Sequence, residues 1–178
     1  DANGDGKLDS NDRVEIGHGT LPRLTYGANI GLSWNNFDFS VLFQGVGNHQ
    51  VYYNNQAFRF VTVMGQSLIK DITDNAWTPE NPYNSKYPIL RNSSNGKNNI
   101  ASDAFVHNAA YFRCKNIQLG YTVPRKITKK FFVENLKIYT SIDNLFTITD
   151  FPGLDPEIGA TVGYPSVRQY SIGVNISF

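Results

Sequence analysis

The residues best spaced for chemistry stand at the start of the chain. Asp1, Asn3, Asp5, Gly6, Lys7, Asp9 and Asp12 fall at positions 1, 3, 5, 6, 7, 9 and 12 of one run. Oxygen donors at alternate positions can converge on one hard cation, and a glycine at the sixth position permits the sharp turn, so the spacing is that of an EF-hand-type calcium loop with Leu8 as its apolar anchor. Lys7 would offer only its backbone carbonyl, and Asp9 would act through a water. The last ligand is Asp12 and not Glu, which shortens its reach and predicts a weaker site. Flanking helices are not visible, and the alternative is a metal-free loop of Asx turns. No reacting constellation accompanies it. His18, His49 and His107 lack metal or catalytic spacing, Cys114 has neither a visible base nor a disulfide partner, and no nucleophile elbow occurs. Asp155 and Glu157 flank Pro156 and read as loop-shaping or partner-binding groups. The expectation is a protein that is not an enzyme.

These residues hang on strands. The chain has 178 residues, a formal net charge of +1 and 17% charged residues, which offers no field for nucleic acid. It starts at Asp1 without a signal peptide and reads as a piece of something longer. No apolar run reaches the roughly 18 residues of a membrane helix. Five segments alternate with period two. Tyr26, Ala28, Ile30, Leu32 and Trp34 share one face, followed by the Asn35-Asn36 turn and then Phe37, Phe39, Val41 and Phe43. Tyr111, Ile117, Leu119 and Tyr121 form the third set, although Arg113 and Lys115 spoil it and call for a bulge or for a strand end outside the membrane. Leu136, Ile138, Thr140, Ile142 and Phe146 form the fourth. Tyr170, Ile172, Val174, Ile176 and Phe178 form the last. Within the long segment 45–107, Leu68, Ile72 and Ala76 predict one short helix, ended by Pro79.

Two-faced strands suit a sandwich or a barrel. Three features favour a membrane barrel. Links alternate between short and long, as between the two rims of an outer-membrane barrel. Aromatics sit at strand ends on the apolar face: Trp34, Phe37, Tyr121 and Phe178 at the short-turn rim, and Tyr26, Phe43, Tyr111, Phe146 and Tyr170 at the other. Eight residues at about 3.3 Å each, tilted by about 45°, climb about 19 Å, close to an apolar band of about 25 Å, so these are positions for an interfacial girdle. The opposite face is small, neutral and polar: Gly31, Ser40, Gln118, Gly120, Ser171. The alternative is a soluble carbohydrate-binding β-sandwich with a calcium loop.

The motifs also resemble a known family. Asp1-Ala2-Asn3-Gly4-Asp5-Gly6-Lys7-Leu8-Asp9 precedes a strand, and Trp34-Asn35-Asn36-Phe37-Asp38-Phe39 forms a hairpin. Trp77-Thr78-Pro79-Glu80-Asn81-Pro82, Ala110-Tyr111-Phe112-Arg113 through Tyr121, Asp143-Asn144-Leu145-Phe146, Gly153-Leu154-Asp155-Pro156-Glu157 and a final Phe178 follow in order. Together they resemble the C-terminal barrel region of SusC/RagA-like TonB-linked outer-membrane transporters over nearly all 178 residues. The resemblance implies an all-β, antiparallel transmembrane barrel segment, the last five strands of about 22, the class of barrel with a plugged lumen. It implies residues 1–22 as an Asp-rich external loop, 23–44 as a hairpin, 45–107 as a long external loop, 108–148 as a hairpin, 149–166 as an external loop and 167–178 as the terminal strand. It further implies location in the bacterial outer membrane, import of oligosaccharides or peptides, a SusD-like surface lipoprotein partner, and coupling to TonB through a part that lies outside this sequence.

Two more sites follow. Tyr170, Ile172, Val174, Ile176 and Phe178 look like the C-terminal signal read by barrel-assembly machinery, since an apolar-alternating strand with an aromatic end can pair edge-on. Trp77, Tyr83 and Tyr87, with Tyr52 and Tyr53, could stack on sugar or pack on a partner, and self-packing of the loop is the favoured alternative.

Overall fold

Alternating segments give the strands they predict. The computed structural model describes residues 1–7, 9–17, 19–52, 68, 70–90, 101–161 and 163–178; Leu8, His18 and Tyr53 lie outside the described residues. The strands are β1 (Leu24–Trp34), β2 (Phe37–Gly47), β3 (Gln50–Tyr52), β4 (Val106–Asn108), β5 (Tyr111–Thr122), β6 (Asn135–Thr149) and β7 (Gln169–Ser177). The short helices are α1 (Lys70–Asn75) and α2 (Arg125–Thr128). β1, β2, β5, β6 and β7 form one five-stranded sheet in that order, with every neighbouring pair antiparallel. β3 and β4 form a separate pair beside it. Only β1 and β7 lack a second neighbour in the large sheet, so each leaves one ladder of backbone groups open.

The turn between β1 and β2 has two residues, and Asn35 takes φ of 52°, a left-handed conformation that asparagine tolerates. The register then carries each face across the whole sheet. Ile30, Val41, Ile117, Ile142 and Tyr170 make one apolar row, and Gly31, Ser40, Gln118, Ser141 and Ser171 make the polar row beside it. On the polar face Lys137 Nζ reaches Asp38 Oδ2 at 2.8 Å, passing over Gly120. A Cβ at Gly120 would stand 2.5 Å from Asp38 Oδ2 and 2.6 Å from Lys137 Cε, so the missing side chain makes room for the ion pair.

One irregularity decides the site. Leu42 faces Asn116 but Phe43 faces Cys114, so Lys115 is an extra residue in β5. The bulge reverses parity: Phe112 and Cys114 join the apolar face, while Tyr111 and Arg113 turn to the polar one. This corrects the placement of Tyr111 in the same apolar set as Tyr121. Phe112 takes its place, stacked on Phe43 at 5.3 Å between ring centroids and 6.4 Å from Phe146.

Beyond the sheet, packing is local. Ile72 of α1 and Phe105 are fully buried together, with Leu68, Tyr87 and Leu90 around them. The helix ends at Asn75, where Ala76 bridges to Tyr87, so Pro79 is not its terminator. Val51, Ala109 and Phe151 form a second small cluster under the loop that follows β6.

Candidate functional site

The most strongly built polar site lies where the bulge sends Arg113. Its side chain is 2% exposed, and that of Asp155 is 4% exposed. Arg113 Nη2 donates to Asp155 Oδ1 at 2.7 Å, and Nη1 donates to Glu157 Oε2 at 2.6 Å and to Ser166 Oγ at 3.1 Å. Nε donates to Thr147 Oγ1 at 2.9 Å. Asp155 in turn accepts the backbone N–H groups of Glu157 and Ser166, at 3.0 and 2.9 Å. Burial pushes the Asp155 carboxyl up, but these two N–H groups and the Arg113 guanidinium outweigh it and leave the pKa below the ordinary 3.8. Lys115, the bulge residue, adds a contact to Glu157 at 3.2 Å. The guanidinium also lies 5.3 Å above the Tyr111 ring, and Gln44 Nε2 donates to the Tyr111 hydroxyl at 3.4 Å. One arginine thus ties both ends of the loop between β6 and β7 to the polar face. Sequence reading left Asp155 and Glu157 as loop-shaping or partner-binding groups; their shared partner Arg113 was hidden because it depends on the bulge at Lys115.

The opposite face is exposed over much of its area, although Val41 and Cys114 within it are buried. Ile30 is 48%, Ile138 44%, Trp34 75% and Ile172 84% exposed. Among the described residues no second sheet covers these exposed side chains. Apolar surface left in water is unfavourable by about 25 cal/mol per Å². At the short-turn rim Trp34, Phe37 and Tyr121 stand in one row, with the Phe37 and Tyr121 rings 4.7 Å apart. At the other rim Tyr26 covers Gly45, and Phe43, Phe112 and Phe146 form a continuous aromatic run. Tyr170 pairs with Ile142, four residues along β6 from Phe146, and so stands in the row of Ile30 and Val41. Phe178 is 84% exposed beyond β7.

The Asp-rich run closes on itself. Asp1 Oδ1 accepts N–H groups from Gly4 and Asp5, and Oδ2 accepts that of Gly6, at 2.8 to 3.1 Å. Asp5 Oδ1 accepts Lys7 N–H at 2.8 Å. Asp12 accepts from Ala2 at 2.9 Å and from Asp9 at 2.6 Å, which joins the end of the run to its start. The Asp9 N–H is the main reason that the Asp12 pKa lies below the ordinary carboxylate value. Gly4 and Gly6 both have positive φ, at 76° and 78°. The donors are all oxygens, which suits a hard cation. Among the described residues no three His, Cys, Asp or Glu side chains are gathered closely enough to hold a metal.

No protein-family model matches the chain. Whole proteins do. It is 32% identical over 197 aligned residues to TonB-dependent receptor P3 of Formosa agariphila and 28% identical over 182 to TonB-dependent receptor SusC of Bacteroides thetaiotaomicron. Both alignments cover 100% of this chain. Over its whole length the chain is similar to a segment of each of these two TonB-dependent receptors. It spans 18% and 17% of the length of these two relatives. The fold agrees: the RagAB peptide importer in its open-open state superposes on 97% of this chain with a TM-score of 0.76 and 26% identity, using 19% of that chain.

The loop aromatics divide. Trp77 is half-buried and lines an open cleft with Tyr87, Lys86 and Pro88. Tyr87 is committed to structure: it packs on Ile72 and Phe105, and its hydroxyl donates to Asp71 Oδ2. That hydroxyl and Lys86 hold the Asp71 carboxyl below its ordinary range. Tyr83 stands apart, 93% exposed, and Tyr52 packs edge-on against Phe105 at 5.9 Å. The three residues Trp77, Tyr83 and Tyr87 do not form one platform.

Proposed function

We propose that this chain forms the last five strands of the barrel of a TonB-dependent outer-membrane importer, with its apolar face against lipid and its polar face toward the lumen. The observation that carries this reading is the pair of faces: one apolar and exposed at both rims, the other polar and crossed by ion pairs. The open edges of β1 and β7 support closure by further strands, because unpaired backbone groups are not tolerated in hydrocarbon. The loop pinned by Arg113 then lies at the external rim, beside the long segment that precedes β5. Cargo is an oligosaccharide or a peptide, delivered with a SusD-type surface lipoprotein, and energy arrives through TonB; homology to SusC and to the RagAB peptide importer supports this class. The alternation from Tyr170 to Phe178 supports its use as an assembly signal. Two strains test the reading, one lacking the gene and one encoding the receptor without Phe178. Both should lose uptake of labelled oligosaccharide or peptide, and the second should also show a several-fold drop in receptor in the outer-membrane fraction. Normal uptake in the first strain would reject the function, and unchanged assembly in the second would reject the signal.

Calcium belongs to the same reading. Asp1, Asn3, Asp5, the Lys7 carbonyl, Asp9 through water, and Asp12 would hold the ion, which would cross-link the external loop without taking part in transport chemistry. Since Asp12 is shorter than Glu, binding is expected in the range of about 10⁻⁴–10⁻³ M, typical of weak extracellular sites. Titration calorimetry of the full-length receptor should show heat that Asp1→Ala and Asp5→Ala abolish. Equal heat in those variants would remove the site.

A further inference from the structure

The link between β5 and β6 carries charge and aromatics that the barrel does not use. From Pro124 to Glu134 it holds Arg125, Lys126, Lys129 and Lys130 against one Glu134, a local charge of +3 in a chain whose total is +1. Arg125 pairs with Glu134 at 3.7 Å. Lys126, Lys129 and Lys130 are exposed and make no ion pair among the described residues, whereas Lys70, Lys86, Lys115 and Lys137 each have a carboxylate partner. Phe131 and Phe132 beside them are 71% and 90% exposed. Phe132 also takes φ of 58° and ψ of 26°, the left-handed region that a bulky side chain rarely adopts. A glycine would relieve that conformation, so the fold accepts strain while holding a benzyl group in the open. The segment is fixed rather than loose: Thr128 is buried, Val133 N–H bonds to the Thr128 carbonyl, and Glu134 N–H bonds to the Ser177 carbonyl. It sits at the same rim as the exposed rings of Trp34, Phe37 and Phe178.

We infer that residues 126–132 form a basic-aromatic anchor for anionic phospholipid headgroups at the periplasmic surface of the outer membrane. This rests on the lipid-facing assignment of the apolar sheet face. Aromatic rings at headgroup depth continue the girdle of the short-turn rim. Three uncompensated lysines within seven residues meet the charge of an anionic leaflet, where each basic group is attracted within a Debye length. The strained, exposed Phe132 has an occupant only if its ring leaves water.

The test uses the full-length receptor, with native cysteines replaced, in bilayer discs of phosphatidylethanolamine with or without phosphatidylglycerol. Nitroxide labels are placed at Phe131→Cys, at Ile172→Cys on the apolar face, and at Tyr83→Cys on the exposed loop. Power saturation with oxygen and a nickel chelate then reports depth. The label at 131 should show an oxygen-to-nickel ratio several-fold above that at 83, rising further with phosphatidylglycerol. Adding Phe132→Gly should lower that ratio toward the value at 83 although it relaxes the backbone, and Lys129→Glu with Lys130→Glu should abolish the dependence on phosphatidylglycerol. A label at 131 as water-exposed as that at 83, with the label at 172 in lipid, overturns the anchor and leaves the barrel standing. Water exposure at 172 overturns both. A label at 131 protected from both reagents in every bilayer would mean a protein neighbour, and also overturns the anchor.

Discussion

Replacing Arg113 with alanine in the full-length protein should free the loop between β6 and β7, at a cost of about 3–5 kcal/mol, the range for breaking a buried ion pair by removing one partner. The magnitude follows from burial. Arg113 and Asp155 are both nearly inaccessible, so Asp155 would keep its two N–H donors but lose the guanidinium that balances its charge. Lys115→Ala is the internal control. Its side chain is about one-third exposed and its ion pair among the described residues is with Glu157, so its loss should cost about 1 kcal/mol or less. Amide exchange at Glu157 and Ser166 separates the two, and equal protection in both variants would show that the arginine does not hold the loop. Acid should imitate the arginine variant. The Asp155 pKa is depressed in the folded state, so its contribution is fully present above the ordinary value of 3.8 and is lost as pH falls through its own lower value. Protection at Glu157 and Ser166 should therefore persist at neutral pH and decay only in strong acid.

On the barrel reading proposed above, Ile172→Arg should destabilise the protein in lipid by about 2–4 kcal/mol, the penalty for a cation on the lipid face of a barrel near the bilayer midplane. Ile172 is 84% exposed in this segment. On a water-facing surface such a site would accept arginine within about 0.5 kcal/mol. The two solvents thus predict different outcomes for one substitution. Ser171→Arg, one residue away in the polar row, should be far milder if that row faces a wet lumen. Equilibrium folding into vesicles measures both. Tolerance of Ile172→Arg equal to that of Ser171→Arg would remove the lipid assignment on which the barrel reading stands.

The strands were legible because a half-buried ribbon must alternate, and alternation survives in a single sequence. Ile30, Val41, Ile142 and Ile172 need no partner to reveal their face. The two-residue turn at Asn35-Asn36 was equally local. The bulge was foreseen only as one of two ways to excuse Arg113 and Lys115, since parity in one strand cannot say which residue is extra. The error at Tyr111 follows directly: it lies before the bulge, and its face is set by pairing with Val46 and Thr149. The arginine cluster was illegible for the same reason, because Arg113 and Asp155 are 42 positions apart and meet only after parity reverses. The helix near Ile72 was visible in spacing, but its end was not. A tertiary bridge from Ala76 to Tyr87 stops it before Pro79 has any effect.

On the barrel reading, the unpaired ladders at β1 and β7 constrain how such a segment would enter a bilayer. Each ribbon that crossed alone would drag a row of bare amide dipoles through oil, and each of those groups costs several kcal/mol. The five ribbons therefore have no stable halfway position. Their crossing must wait until neighbouring ribbons on both flanks are zipped to them, which makes insertion a single cooperative event and gives an edge-binding escort a physical reason to exist.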